Sequence, residues 1–162
     1  MNKFKIMKIL LATDGSDYSN LAAEELAARP LPPNSGVHIV SVYSVTSLIA
    51  GVPEQTGGWS NVWEEVAPYV RKMAEEAVSK AAELLKEKQP GLTVSTRVIE
   101  GLPKEEILQE AENIGADLIV VGSHGRGAVA RFLLGSVSQA IALHAKCSVE
   151  IARKPHIVEK NS

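Results

Sequence analysis

The stretch "LIVVGSHGRGAVARFLLGSVSQ", Leu118 to Gln139, decides the fold. Its first residues are apolar without alternation, as a strand covered on both faces inside a parallel sheet requires. Three glycines, Gly122, Gly125 and Gly127, then follow at the strand's carboxyl end, and a Gly135–Ser136 pair opens the next helical segment. Glycine lets backbone amides crowd around an anion, and the first turn of a helix presents unpaired N–H donors with a favourable dipole. The stretch therefore predicts a central strand, an anion-holding turn and a helix N-terminus.

Working outward, short β-branched runs alternate with helix-period stretches along the whole chain, the pattern of βαβ units. "KILLAT" (8–13) is the first strand. It leads through "DGSDYSN", where Ser16, Asp17 and Ser19 offer N-cap oxygens, into the helix "LAAEELAAR", which Pro30 stops. "VHIVSVY" (37–43) is the second strand, and the long connection 44–61 that leaves its carboxyl end has the length of a lid or binding loop. Trp63, Val66, Val70, Met73, Ala77, Ala81 and Leu84 recur at steps of three and four, predicting one long helix that buries this stripe, Trp63 included, until Pro90. "LTVSTRVIE" alternates as a half-buried edge strand. "GLPKEEILQEAENIG" is a helix with Pro103 in its first turn and Gly115 as its C-cap. A last helix, "SVSQAIALHA", and a fifth strand, "SVEIAR", close the chain, with a frayed tail at 154–162.

Composition narrows the function. The 162 residues are 45% hydrophobic and 22% charged, which describes one domain over 1–162 with its core at about 8–153. Seventeen basic against nineteen acidic residues give a formal charge of −2, so no basic field exists to draw nucleic acid or an anionic membrane. A single cysteine, Cys147, excludes an internal disulfide and a cysteine zinc site and suits a reducing compartment. At the N-terminus Lys8 and Asp14 interrupt what would otherwise resemble a secretory segment, and no cleavage pattern follows, so a cytoplasmic location is expected.

Two familiar glycine patterns compete for the loop. "GSHGRGAV" has the outer glycines of a P-loop, but Ala128 and Val129 stand where its Lys and Ser/Thr belong. "GRGAVA" matches the dinucleotide fingerprint, yet only one βα step remains after it. A third pattern fits throughout: Gly122, two residues, Gly125, nine residues, Gly135, Ser136. In this the chain resembles the nucleotide-binding members of the universal stress protein family, whose motif is G-x2-G-x9-G-[S/T]. "KILLATDGSDYS", "VHIVSVY", "EGLPKEEIL" and "ADLIVVGSHGRG" resemble that family's successive strand and junction segments, from about Lys8 to Arg153.

The resemblance implies an α/β fold, a single open five-stranded parallel sheet in the order 3-2-1-4-5 with helices on both faces. It implies ATP or another adenine nucleotide, with Mg2+, as ligand. Ala12, Thr13, Asp14 and Val42 would take the adenine and ribose. Gly122, Ser123, His124, Gly125, Arg126, Gly127, Gly135, Ser136, Val137 and Ser138 would take the phosphates. For Asp14 the alternative is a turn residue capping the first helix, and for His124 and Arg126 an exposed loop position. The implied role is a stress-linked regulatory or sensing protein, the other reading being a nucleotide-independent interaction module. The implied partner is a second copy, joined through the fifth strands to form a homodimer.

Two departures from the family stand in that strand, where Ser148 replaces the usual proline and Glu150 interrupts the apolar run, leaving it to face solvent or a basic partner. No hydrolase machinery is evident, since the P-loop lysine is missing and His124 is the one base at the loop. His38, His144 and His156 lack metal-ligand spacing. The paired glutamates read as solvated helix faces with Glu76 and Lys80 an ordinary i, i+4 pair, and Cys147 as a small buried hydrophobe.

Overall fold

The computed structural model describes residues 6–46, 59–125 and 133–154. Among the described residues the main elements alternate: β1 Lys8–Ala12, α1 Asp17–Ala28, β2 Gly36–Tyr43, α2 Trp59–Lys88, β3 Thr93–Glu100, α3 Pro103–Ile114, β4 Leu118–Gly122, α4 Ser136–His144 and β5 Ser148–Ala152. All neighbouring strands are parallel, in the order β3-β2-β1-β4-β5. Each strand meets its expected position within about a residue.

The sheet buries both faces. On one, Ile9, Leu11, Val37, Ile39 and Val120 pack under α1 and α2, which contribute Leu26, Val78 and Leu85. On the other, Leu10, Val40, Ile119 and Val121 meet Ile107 and Ala111 of α3 and Ile141 of α4. The doubly covered runs "ILLA" and "LIVV" are thus fully accounted for, and burying each such side chain contributes about 1.5–3 kcal/mol.

Helix ends follow their local chemistry. Of the three candidate caps of α1, Ser16 is used: its hydroxyl accepts from the Ser19 amide at 3.3 Å. Helix α1 therefore starts four residues before the apolar run "LAAEEL". At the end of α3, Gly115 adopts φ +63° and Ala116 donates to the Ala111 carbonyl at 2.9 Å, closing the helix as its glycine predicts.

Helix α2 departs from expectation. It has 30 residues, about 45 Å of helix, and exceeds the sheet it covers. Burial along the stripe begins at Ala74 and Ala77, and Trp63 is exposed, so the core position assigned to it is wrong. Periodicity marks a helix face but not where the surface that covers it ends. Pro68 lies within this overhanging part, on its exposed side. Side chains along α2 pair as Arg71–Glu75 at 2.9 Å and Lys72–Glu76 at 4.0 Å.

Strand β5 accommodates its charge within the chain. Val149 and Ile151 join the α3–α4 face, while Glu150 points the other way and pairs with Arg29, just past the end of α1. Most of the connection after β2, residues 47–58, and the chain from 155 lie outside the described residues.

Candidate functional site

The strand order reverses between β1 and β4, and the crevice at their carboxyl ends is where ligands bind in sheets of this kind. A cavity of about 330 Å³ opens there. One part of its wall is apolar: Ala12 from β1, Val40 and Val42 from β2, Pro103 and Ile107 from α3. The other is polar and glycine-rich: Thr13, Asp14, Ser19, Gly122, His124, Gly125, and Gly135 to Ser138 at the start of α4.

The polar part is tied together by short-range bonds. The Ser123 amide donates to the Ala152 carbonyl of β5 at 2.9 Å. The Ser123 carbonyl accepts from the Gly135 amide at 2.8 Å and from the Ser138 hydroxyl at 2.9 Å, so both glycine turns are clamped to one carbonyl. Gly135 is the N-cap of α4 and has no side chain to cap it, so among the described residues no side-chain cap bond closes the first turn, whose residues Ser136 to Ser138 line the cavity.

Packing requires one motif glycine and crowds a second. A Cβ on Gly122 would stand 2.6 Å from the Tyr18 carbonyl carbon, and one on Gly135 would stand 3.1 Å from His124 Cα. Among the described residues, a Cβ on Gly125 would meet Asp14 Oδ2, at 3.1 Å. Asp14 uses its other oxygen, Oδ1, to accept from the Ser16 amide at 2.9 Å, the turn role foreseen for it, while Oδ2 lies beside the glycine turn. Gly15 takes the left-handed φ of +76° that this turn needs.

His124 has its Nδ1 2.9 Å from Ser123 Oγ and its ring 4.9 Å from that of Tyr18. Its Nε2 is buried without a hydrogen-bond partner. Tyr18 also carries the Lys154 ammonium over its ring at 5.0 Å.

Of the residues expected at the site, Ala12, Thr13, Asp14, Val42, Gly122, His124, Gly125, Gly135, Ser136, Val137 and Ser138 line this one cavity. Ser123 supports it from behind, and Arg126 and Gly127 lie outside the described residues. The Ser138 hydroxyl is directed at the Ser123 and Gly135 carbonyls rather than standing free. Sequence reasoning missed Ser19, Val40, Pro103 and Ile107 as lining residues. Ser19 had been read as a possible cap; it is buried and joins Thr13 Oγ1 at 3.1 Å and the Ser16 carbonyl at 3.0 Å. Elsewhere, Cys147 is half-buried and burial raises its thiol pKa, in keeping with a packing role. Among the described residues no group of three metal-ligating side chains occurs, and no helix is long and apolar enough to cross a membrane.

An open, doubly wound parallel α/β domain with a cavity at its topological switch point is the class that fold and site define. The chain belongs to the universal stress protein family, whose sequence model matches residues 5–153. It is 32% identical to universal stress protein MJ0531 of Methanocaldococcus jannaschii, over 91% of this chain and 82% of that one. It is 34% identical to universal stress protein YxiE of Bacillus subtilis, over 90% and 98%. Among solved structures, hypothetical protein MJ0577 superposes with a TM-score of 0.78 at 23% identity, covering 92% of this chain and 96% of that one. A universal stress protein in complex with cAMP superposes with a TM-score of 0.60 at 23% identity (91% and 97% covered). One from Archaeoglobus fulgidus in complex with dAMP gives 0.53 at 23% identity (91% and 98% covered).

Proposed function

We propose that the chain binds an adenine nucleotide, ATP with magnesium or a close relative, and acts as a stress-linked regulatory or sensing protein. The observation that carries this is the cavity itself. It joins an apolar slot able to take a flat base to a polar end where two glycine turns and the uncapped first turn of α4 converge. The solved relatives in complex with cAMP and dAMP support the ligand class.

In this reading Val40, Val42, Pro103 and Ile107 hold the base, and Asp14 Oδ2 accepts from ribose. Gly125 and the amides of Ser136 and Val137 hold phosphate oxygens. A magnesium ion would ride on the phosphate oxygens, completing its shell largely with water, as it does on nucleotides generally. ATP binding proceeds here without appreciable turnover, because binding alone lowers no barrier unless a nucleophile and transition-state charge are positioned. Two copies join through β5, whose outer edge otherwise presents unpaired backbone groups.

The second reading, a nucleotide-independent interaction module, has one observation in its favour. Gly122 is needed for packing against Tyr18 whether or not a ligand binds, and Gly135 is crowded by His124, so these two glycines do not by themselves demand a ligand. Mass spectrometry of small molecules released from the purified, denatured protein separates the two. An adenine nucleotide at near one equivalent is expected. Its absence, together with no rebinding of added nucleotide, would favour the interaction module.

A further inference from the structure

Away from the cavity's open end, three side chains remote in sequence form one hydrogen-bonded line. Ser95 Oγ on β3 stands 2.7 Å from His38 Nδ1 on β2, and His38 Nε2 stands 2.9 Å from Glu110 Oε1 on α3. Exposure falls along it: Ser95 is open at the sheet edge, while the side chains of His38 and Glu110 are 18% and 6% exposed.

Glu110 is held as a carboxylate. Burial pushes its pKa up, but hydrogen bonds from Arg97 at 2.6 Å, Asn113 at 3.4 Å and His38 outweigh this, and the net direction is down. An ionised carboxylate only accepts, so His38 Nε2 donates to it. In the tautomer that donates from Nε2, Nδ1 is the acceptor nitrogen, and it faces the Ser95 hydroxyl. A buried glutamate satisfied by Arg97 and Asn113 would be explained by packing alone. Sheet register sets Ser95 beside His38 as its cross-strand partner; what the register does not itself fix is the side-chain alignment, with the exposed hydroxyl 2.7 Å from Nδ1 while Nε2 is held by the carboxylate. Nucleophile, base and orienting carboxylate stand in the order of serine acyl transfer, with the two ring nitrogens in exchanged roles.

We propose that Ser95 is an activated nucleophile that takes an acyl group from small activated esters, with His38 as its general base and Glu110 as the residue that positions His38. The Ser95 Oγ forms a bond to the acyl carbon as the ester C–O bond breaks. The hydroxyl proton passes to His38 Nδ1 and from there to the departing oxygen, leaving an acyl-serine and an alcohol. The adjacent backbone donor not directed at β2, and so the one that could answer charge on the tetrahedral carbon's oxygen, is the Thr96 amide. Thr93 and Gly101 direct their amides to β2, at Ser35 and Tyr43, so by alternation the Thr96 amide faces the outer edge. Arg97 stands on the same strand face as Ser95, two residues on. The open edge admits small, unhindered donors.

The test is labelling with a small fluorophosphonate, read by intact mass and peptide mapping, with Ser79, exposed on α2, as the internal control. Ser95 is expected to label more than 100-fold faster than Ser79. His38→Gln, shown to be folded by circular dichroism, is expected to slow Ser95 by at least about 100-fold, the lower range of general-base effects. No adduct on Ser95, a wild-type Ser95:Ser79 ratio near one, or undiminished labelling in His38→Gln overturns the proposal. The wild-type ratio decides alone if the variant does not fold.

Discussion

Gly122 lies directly against the backbone of Tyr18, leaving no room for a side chain: a Cβ there would come within 2.7 Å of the Tyr18 carbonyl oxygen and 2.8 Å of the Ser19 nitrogen. The first glycine of the motif therefore sets how closely β4 approaches the start of α1. Because the opposing atoms are backbone, they cannot swing aside. Gly122→Ala is expected to destabilise the fold by about 1–3 kcal/mol, as overpacking does, measured by urea denaturation of ligand-free protein. Gly125→Ala, which among the described residues meets a carboxylate oxygen, is expected to cost less. Equal stability of Gly122→Ala and wild type would remove the packing role.

The Ser138 hydroxyl joins the two halves of the site through the Ser123 and Gly135 carbonyls. Ser138→Ala is expected to lose about 1 kcal/mol of stability, the usual net value of a buried hydrogen bond, visible in the thermal midpoint. Nucleotide affinity should fall with it, since the turns that hold phosphate lose their common anchor. Unchanged affinity in a measurably destabilised Ser138→Ala would show that the clamp serves the fold alone.

Glu110 gives stability a pH dependence of known sign. Against the upward push of burial, hydrogen bonds from Arg97, Asn113 and His38 hold its folded pKa below the ordinary glutamate value, so the folded state binds its proton more weakly than the unfolded state does. The contribution is complete above the unfolded value of about 4.3 and is lost as pH falls through the lower, folded value. The urea midpoint is expected to drop below about pH 4.3. Glu110→Gln should remove part of that slope and cost roughly 1–3 kcal/mol at neutral pH. A variant with the wild-type slope would assign the acid sensitivity to other carboxylates.

Much of this was legible from local chemistry. The short apolar runs 9–12 and 118–121, each followed closely by glycine, read as central parallel strands, and Pro103, Gly115 and Pro30 punctuate helices as they do elsewhere. The glycine spacing located the cavity because both of its ends are sequence-local features of βα turns. What was not legible depends on contacts across the fold. Val40, Pro103 and Ile107 become one wall only once α3 lies on β2, and His38 meets Glu110 across 72 residues. Trp63 was misplaced because periodicity does not report where the sheet ends beneath a helix. Glu150 resisted for a similar reason: its partner, Arg29, lies 121 residues away, past the end of another element.

That pairing bears on assembly. With Arg29 beside it, Glu150 does not bring an uncompensated charge to the β5 edge. The half-buried pair contributes on the order of 1 kcal/mol. Light scattering at micromolar concentration is expected to give the mass of a dimer for the wild type. Arg29→Ala, which frees the carboxylate, is expected to weaken the dimer and make it sensitive to salt. A monomer in the wild type would contradict pairing through β5.

The most direct test of the account is calorimetric titration of ATP with magnesium, and of AMP, into protein stripped of any bound ligand. It is done for the wild type and for Val42→Trp, which places a large ring in the apolar slot while changing none of the glycine turns. The account predicts saturable binding at one site per chain in the wild type and its loss in a folded Val42→Trp. Absence of binding by the wild type up to millimolar nucleotide, or equal binding by the variant, would contradict it.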